Sequence, residues 1–239
     1  RSQACQKLTA AMANMYLVLY NAVLVAGWAY VGKLAYDAFV AEGPLAIYAA
    51  VREPLLWSQT AALMEVAHSV LGVVRTPWHT TALQVASRIF LVWGVLELVP
   101  TAGTNQLTLF TLADGTEVGL GVATLIFAWS ITEVVRYSFY ALKEVNMLPG
   151  ILNWLRYTLF IVLYPLGTSS EMALLYVSLP YINEHEVLRL KMPNRYNFAF
   201  DYGVFAYVIF TAYVFGFQML YSYMFVQRKK ALAPKIKAN

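Results

Sequence analysis

The sequence predicts an all-α membrane protein that folds as one bundle of six transmembrane helices. Of its 239 residues, 60% are hydrophobic and only 13% are charged, about half the usual charged fraction of a soluble domain. Because so few charges cannot cover a soluble protein of this size, much of the surface is expected to face lipid. Six stretches approach the about 20 apolar residues that a bilayer-spanning helix needs, near 15–38, 56–74, 80–99, 119–142, 152–179 and 202–226.

Short clusters of glycine, proline and polar residues separate these stretches, as expected of turns between helices. They are "EGP" at 42–44, "RTP" at 75–77, "PTAGTNQ" at 100–106, "ADGTE" at 113–117, "MLPG" at 147–150 and "NEHEVLRLKMPNRYN" at 183–197. Residues 100–118 are interpreted as a loop. With no recognisable internal repeat or second domain, residues 1–239 form one predicted domain that ends in a basic tail, 227–239.

The distribution of basic residues predicts the orientation in the membrane. The tail "QRKKALAPKIKAN" is the strongest basic cluster, and cytosolic loops are enriched in lysine and arginine. The C-terminus is therefore expected in the cytosol, and an even number of spans places the N-terminus, with Arg1 and Lys7, on the same side. Arg189, Lys191 and Arg195, between the fifth and sixth spans, oppose this scheme.

Other sequence features narrow the class of protein. The net charge of +4 comes mostly from the connections and the tail, which indicates membrane topology rather than nucleic acid binding. Cys5 is the only cysteine, so an internal disulfide and zinc sites built on paired cysteines are excluded. The last five residues, "KIKAN", resemble a di-lysine signal for return to the endoplasmic reticulum, although an ordinary basic tail has the same pattern.

Ionisable side chains inside the predicted spans are expected to have a charged or polar partner or a functional role, because placing each one at mid-membrane costs about 2.5–3.5 kcal/mol. Glu65 and His68 lie one helical turn apart, which resembles half of a di-iron site. Since the sequence lacks the second half of such a site, no metal is predicted, and a polar pair that locks the bundle is the alternative. The full set of such residues is Glu65, His68, Arg88, Glu133, Arg136, Arg156 and Glu171.

The run "HSVLGVVR", 68–75, has the outline of the phosphatase signature HCx5R. That signature needs a thiolate on a loop whose N–H groups hold phosphate. Ser69 occupies the position of the nucleophile, and the run is predicted to be an apolar helix whose N–H groups are already bonded. Phosphatase activity is therefore not expected.

The segment "WSITEVVRYSFY", 129–140, places Glu133, Arg136, Tyr137 and Tyr140 on one stripe of a helix. Glu133 and Arg136 can neutralise each other as a buried ion pair. Direct participation in catalysis is the alternative interpretation.

The segment "LRYTLFIVLYPLGTSSE", 155–171, combines polar side chains with a helix breaker. Tyr157, Tyr164 and Glu171 recur every seven residues, which predicts one face of the fifth helix. Pro165 removes a backbone hydrogen bond and predicts a kink beside Tyr164. The small and hydroxyl-bearing residues 167–170 leave room beside the kink, so this face is either the wall of a pocket or a polar lock against neighbouring helices.

Three segments, in this order, closely resemble the membrane 3-hydroxyacyl-CoA dehydratases of very-long-chain fatty acid elongation, also called protein tyrosine phosphatase-like proteins. The segments are "WSITEVVRYSFY", "LRYTLFIVLYPLGTSSE" and "MPNRYNFAFDY". The similarity runs from about residue 15 to 227. The cysteine of the family's degenerate phosphatase motif corresponds to Ser69, so that motif cannot carry the shared chemistry.

The resemblance implies six spans in the endoplasmic reticulum membrane with both termini in the cytosol. It implies removal of water from a (3R)-3-hydroxyacyl-CoA to give the trans-2-enoyl-CoA, the third step of each elongation cycle. The implied catalytic pair is Tyr164 and Glu171. Expected partners are the condensing enzyme and the reductases of elongation, and no cofactor or metal is implied.

Dehydration needs a base for the C2 proton and an acid for the departing hydroxyl. Glu171 is assigned as the base and Tyr164 as the acid, and the reverse assignment stays open. Arg75, Lys143 and the tail are candidates for contact with the CoA head group. The residues expected to support the site or to contact substrate are Arg136, Tyr137, Tyr157, Gly167 and Ser170. The competing interpretation is a non-catalytic membrane scaffold of the elongation complex.

Overall fold

The computed structural model describes residues 3–115 and 117–233, with side chains of the first helix described from residue 14 onward. The termini with Arg1, Lys235 and Lys237, and the side chains of Cys5 and Lys7, therefore lie outside the described part. The elements are α1 (Gln3–Glu42), a 3₁₀ turn (Pro44–Ala46), α2 (Ile47–Ala61), α3 (Leu63–Val70), α4 (Trp78–Ile89), a π-helical stretch (Phe90–Leu96), β1 (Gln106–Thr111), β2 (Glu117–Gly121), α5 (Val122–Glu144), α6 (Gly150–Arg156), α7 (Phe160–Glu184) and α8 (Tyr202–Leu232).

Three helical stretches within the described residues are long and apolar enough to cross a membrane: Asn14–Glu42, Gly150–Glu184 and Tyr202–Leu232. They coincide with the first, fifth and sixth predicted spans. The second predicted span is divided between α2, which already begins at Ile47, and α3. The third changes from α- to π-helix at Phe90, and the fourth, α5, carries Glu133 and Arg136 near its middle. The chain is thus a mostly helical protein with three candidate membrane spans.

The helices form six helical segments that run alternately up and down: α1, α2 with α3, α4 with the π-helical stretch, α5, α6 with α7, and α8. Along α1 and α5 the contacts run in opposite directions, since Gly32 lies beside Ser130 and the later Phe39 packs on the earlier Phe127. Tyr16, near the start of α1, hydrogen-bonds His68 at the end of α3 (2.8 Å). The start of α1 and the ends of α3 and α5 therefore lie at one end of the bundle.

The same end holds the start of α6 and the end of α8. Tyr157, just after α6, packs on Phe139 in the last part of α5, and Arg228 lies 3.5 Å from the hydroxyl of Thr158. We call this the terminal end of the bundle. The β-hairpin, which precedes the start of α5, lies at the opposite end.

One stripe of α1 supplies much of the core. Its buried residues recur alternately every three and four positions, so they fall on one face, while the remaining faces expose apolar side chains. This pattern fits a helix that packs against protein on one side and lipid on the others. The buried stripe of α1 consists of Leu17, Asn21, Leu24, Trp28, Val31 and Ala35.

The β-hairpin corrects the prediction of an all-α fold and of a loop over 100–118. β1 and β2 pair antiparallel around the predicted turn at "ADGTE", where Gly115 has a φ of 84°. A side chain at Gly119 would meet the carbonyl oxygen of Leu107 at 2.6 Å, so only glycine allows this approach of the strands. β2 occupies the first residues of the predicted fourth span, and α5 therefore begins only at Val122.

A buried ionic network connects α3, α4 and α5. Arg136 pairs with Glu133 (2.7 Å), which confirms the predicted ion pair, and also with Glu65 (2.9 Å). Arg88 bonds the other oxygen of Glu133 (2.7 Å), and the Tyr137 hydroxyl donates to Glu65. Two guanidinium groups thus neutralise two carboxylates from three helices, which is how an apolar bundle can hold four charges.

Removing Arg136 tests this network against an exposed ion pair of the same form. Arg136→Ala leaves Glu65 without its guanidinium partner and should lower the free energy of unfolding by about 3–5 kcal/mol. Arg189→Ala is the matched control: Arg189 also pairs with two acids, Glu186 and Asp201, but its side chain is 41% exposed against 18% for Arg136. The control should lose at most about 1 kcal/mol. Equal shifts of the thermal midpoint by Arg136→Ala and Arg189→Ala in the same detergent would show that the buried network does not stabilise the fold.

Candidate active site

Tyr164 and Glu171 both lie on α7, seven residues apart, as predicted. Tyr157 does not share their helix, because α6 ends at Arg156 and α7 begins at Phe160. The predicted continuous face over three heptad positions is therefore wrong at its first member. Tyr157 packs edge-on against Phe139 of α5.

The two carboxylate oxygens of Glu171 each accept one hydrogen bond from a neutral donor. The indole N–H of Trp129 on α5 donates to Oε1 (3.0 Å), and the hydroxyl of Tyr213 on α8 donates to Oε2 (2.8 Å). Within the described chain no lysine, arginine or histidine forms an ion pair with Glu171. Its side chain remains partly exposed, so it is bonded but accessible.

Two other helices support the indole donor. The guanidinium of Arg88 on α4 lies 5.0 Å from the ring centroid of Trp129, and Trp28 on α1 packs edge-on against the same ring at 6.3 Å. Because Arg88 is itself fixed by Glu133, the ionic network holds the indole that touches Glu171.

Tyr164 is held by stacked aromatic rings from α8. Its ring stacks on Phe217 at 5.4 Å and on Tyr221 at 6.0 Å. Seven residues along the helix correspond to about two turns, or about 10.5 Å, between Tyr164 and Glu171.

Tyr221 also repairs the backbone that Pro165 interrupts. Proline lacks the N–H that would bond the carbonyl oxygen four residues earlier, on Ile161. The Tyr221 hydroxyl donates to that oxygen instead (3.0 Å). α8 thus closes the open bond of α7 beside Tyr164, a way in which proline is tolerated in membrane helices.

Gly167 and Ser170, two predicted supporting residues, face α5. A side chain at Gly167 would touch Ala128 and Trp129 at ordinary contact distances. The Ser170 hydroxyl lies 2.7 Å from that of Thr124 and donates to the carbonyl of Leu166 (2.7 Å). These residues set the packing of α7 on the helix that carries Trp129.

Arg136 and Tyr137, the other predicted supporting residues, belong to the ionic network around Glu65 rather than to the surroundings of Glu171. Their connection to the candidate site runs through Glu133 and Arg88. Glu65 and His68 hydrogen-bond to different residues: Glu65 accepts from Arg136 and Tyr137, and His68 bonds Tyr16.

The phosphatase-like run 68–75 is helical only in part. α3 ends at Val70, and Gly72 has a positive φ of 70° in the turn that follows, which corrects the prediction of one apolar helix. Ser69 donates to the carbonyl of Glu65 (3.0 Å) and lies 2.8 Å from the Thr76 hydroxyl. Ser69 therefore fastens the end of α3 to the following turn.

Sequence reasoning missed Trp129 and Tyr213 as site residues. Trp129 opens a segment that was singled out for its charges, while Tyr213 is one of many aromatic residues on α8 and carries no local signal. Each of them is identified only by its contact with Glu171, which lies 42 residues away in the sequence and on another helix.

The family model described as "Protein tyrosine phosphatase-like protein, PTPLA" matches residues 59–234 of the chain. The chain belongs to this family. The match includes α3, with Ser69, and every helix that contributes to the surroundings of Glu171.

Curated relatives of the family cover nearly the whole chain. A rice protein (Oryza sativa subsp. japonica) named very-long-chain (3R)-3-hydroxyacyl-CoA dehydratase PASTICCINO 2B is 42% identical over 93% of this chain and 95% of its own length. The human very-long-chain (3R)-3-hydroxyacyl-CoA dehydratase 2 is 38% identical over 93% of this chain and 82% of its own. The Caenorhabditis elegans dehydratase hpo-8 is 41% identical over 91% and 94%. No solved structure matches the chain.

Tyr221→Phe tests the repair of the α7 backbone. The change leaves the Ile161 carbonyl without a donor and should lower the free energy of unfolding by about 1–3 kcal/mol, while the stacked ring remains. Tyr223→Phe, two residues along the same helix and 57% exposed, is the control and should have no measurable effect. If both variants have the thermal midpoint of the wild-type protein in the same detergent, the hydroxyl of Tyr221 does not stabilise α7.

Proposed function

We propose that this chain is a very-long-chain (3R)-3-hydroxyacyl-CoA dehydratase, which removes water from its substrate to give the trans-2-enoyl-CoA. The relatives carry this name over almost the full length of the chain. The observation that carries the proposal is the setting of Glu171, a carboxylate bonded only by neutral donors and placed on the same helix as Tyr164. An acid within a candidate membrane span that has no cationic partner among the described residues is a costly feature that catalysis explains.

The proposed reaction is an elimination across C2 and C3 of the acyl chain. Glu171 takes the proton from C2, the electrons of that C–H bond form the C2–C3 double bond, and the C3–O bond breaks. Tyr164 gives its proton to the departing hydroxyl, which leaves as water. Return of the proton from Glu171 to the Tyr164 phenolate, through solvent, completes the cycle without cofactor or metal.

The bonding of Glu171 favours its assignment as the base. Two donors point at its two oxygens, an arrangement that suits an ionised carboxylate, which is an acceptor only. A phenol keeps its proton near neutral pH, so Tyr164 has a proton to give to the departing hydroxyl. The proposed roles are therefore base for Glu171 and acid for Tyr164.

The activity test is incubation of the purified protein with a long-chain 3-hydroxyacyl-CoA, followed by detection of the enoyl-CoA. Tyr164→Phe and Glu171→Gln preserve shape and should each lower the rate about 10²–10⁴-fold. The double variant should be little slower than the slower single variant, because the two groups act in one elimination. Tyr157→Phe, which lies outside α7, is the control and should retain most activity.

Two results would contradict this proposal. Near wild-type turnover by Glu171→Gln would exclude it as the base. A wild-type protein that binds 3-hydroxyacyl-CoA but never forms the enoyl-CoA would favour the scaffold interpretation.

We also propose that all six helical segments cross the membrane of the endoplasmic reticulum and that the terminal end faces the cytosol. Among the described residues, the basic side chains at the terminal end form no ion pair within 4 Å: Arg75, Lys143, Arg156, Arg228, Lys229 and Lys230. Uncompensated positive charge at one end is the expected mark of the cytosolic side. It also suits the phosphates of CoA, so this end is the proposed position of the head group.

Two of the three basic residues that opposed this orientation, Arg189 and Lys191, are compensated, whereas Arg195 forms no ion pair among the described residues. Arg189 pairs with Glu186 (3.2 Å) and Asp201 (3.0 Å), and Lys191 pairs with Glu186 (2.5 Å). The hydrogen bonds from Lys191 lower the pKa of the Glu186 carboxyl. With the charge of this loop largely neutralised, the terminal end remains the positive one. The proposed partners on the cytosolic side are the condensing enzyme and the reductases of elongation.

A tag placed after Asn239 tests the orientation. In sealed microsomes, added protease should remove the tag, because the terminal end is proposed to face the cytosol. A tag inserted at Gly115, in the hairpin turn, is the matched control and should be protected until detergent is added. Protection of the C-terminal tag would overturn the orientation.

A further inference from the structure

Two residues outside the proposed catalytic pair determine how Glu171 is held. Trp129 and Tyr213 come from different helices, α5 and α8, and each bonds a different oxygen of the carboxylate. We propose that Trp129 and Tyr213 are positioning residues that clamp the Glu171 carboxylate in the orientation needed to take the C2 proton. This inference rests on the proposed dehydratase function.

The clamp removes the freedom that a glutamate otherwise has. The last torsion of a glutamate side chain is broad, so a carboxyl group held at one oxygen can rotate. Donors on both oxygens, from two different neighbouring helices, oppose rotation in either direction. Catalytic groups need placement within about 0.5 Å and 10–20°, which such a pair of bonds can supply.

The neutral character of the donors is the second part of the argument. Glu133, one helix away, accepts from two guanidinium groups and is bound into a structural network. Glu171 accepts from an indole and a phenol, which orient the carboxylate without cancelling its charge. The two acids thus differ in the charge of their donors, as an acid used for structure and an acid used for chemistry should.

One of the two donors is itself held by neighbouring helices. Arg88 of α4 lies over the Trp129 ring, and Trp28 of α1 packs edge-on against it. The indole therefore cannot turn away from Glu171 without disturbing contacts with α1 and α4. The clamp is therefore a rigid part of the bundle rather than a pair of accidental surface bonds.

Steady-state kinetics of Tyr213→Phe and Trp129→Phe test the clamp. Each variant should lower kcat about 10–100-fold, the effect of a misplaced catalytic group, with KM changed by less than about threefold because neither residue is proposed to contact substrate. With substrate deuterated at C2, the isotope effect on kcat should increase, since removal of the C2 proton becomes more rate-limiting. Tyr207→Phe and Trp57→Phe, at exposed positions of α8 and α2, are the matched controls and should behave as wild type.

Two kinetic outcomes would overturn the clamp. Unchanged kcat and isotope effect in both variants would mean that the bonds do not position Glu171. If kcat/KM falls only because KM rises, while kcat stays at the wild-type value, then Tyr213 or Trp129 contacts the substrate instead. Combination of Tyr213→Phe with Glu171→Gln should add no further loss, because the clamp acts only through the carboxylate.

A spectroscopic measurement tests the clamp independently of turnover. The indole N–H resonance of Trp129, assigned by its absence in Trp129→Phe, should shift in Glu171→Gln, because a charged acceptor is replaced by a neutral one. Glu97→Gln, at the hairpin end, is the control and should leave it in place. An unmoved resonance would refute the clamp, whereas a shifted resonance in a protein without dehydratase activity would refute the proposed function alone.

Discussion

A charge in the interior of an apolar bundle must be neutralised or well hydrogen-bonded, and three glutamates of this protein meet that requirement in two ways. Glu65 and Glu133 share the guanidinium groups of Arg88 and Arg136. Glu171 receives only an indole N–H and a phenol O–H. Since a cationic partner would bind the carboxylate and cancel its charge, the absence of one at Glu171, within the described chain, separates the acid proposed for the chemistry from the acids that hold the fold.

The structural acids and the proposed catalytic acid are nevertheless connected by direct contacts. Arg88 neutralises Glu133 on one side and lies over the ring of Trp129 on the other, so the ionic network reaches the donor that holds Glu171. On the opposite side, α8 contributes Tyr213 to Glu171 and Tyr221 to the backbone opened by Pro165. α7 therefore carries the proposed chemistry, while α4, α5 and α8 keep its side chains in place.

Local patterns in the sequence predicted local features well. The i, i+3 spacing of Glu133 and Arg136 predicted their ion pair, and the motif around Pro165 singled out Tyr164 and Glu171. The remaining contacts join distant parts of the chain, such as Arg136 with Glu65 and Arg88 with Glu133, and no spacing rule reaches across 71 or 45 residues. The seven-residue spacing wrongly placed Tyr157 on the same helix as Tyr164. The helix is interrupted between Arg156 and Phe160, and this interruption contains neither glycine nor proline that would have predicted it. The hairpin was not predicted although its Asp-Gly turn was recognised, since β2 lies partly within the apolar run that was assigned to the fourth span.

The central claim is that Glu171 serves chemistry and Glu133 serves structure, and the most direct test measures turnover and thermal midpoint together in Glu171→Gln and Glu133→Gln. Both substitutions keep the shape of the side chain and remove one negative charge. Glu171→Gln should lose at least about 100-fold in dehydration rate and keep the wild-type midpoint, because the amide oxygen can accept from Trp129 while the amide N–H donates to the Tyr213 hydroxyl. Glu133→Gln should melt earlier, because two buried guanidinium groups lose a charged partner. A Glu171→Gln protein that turns over normally but melts early would reverse the two roles and contradict the account.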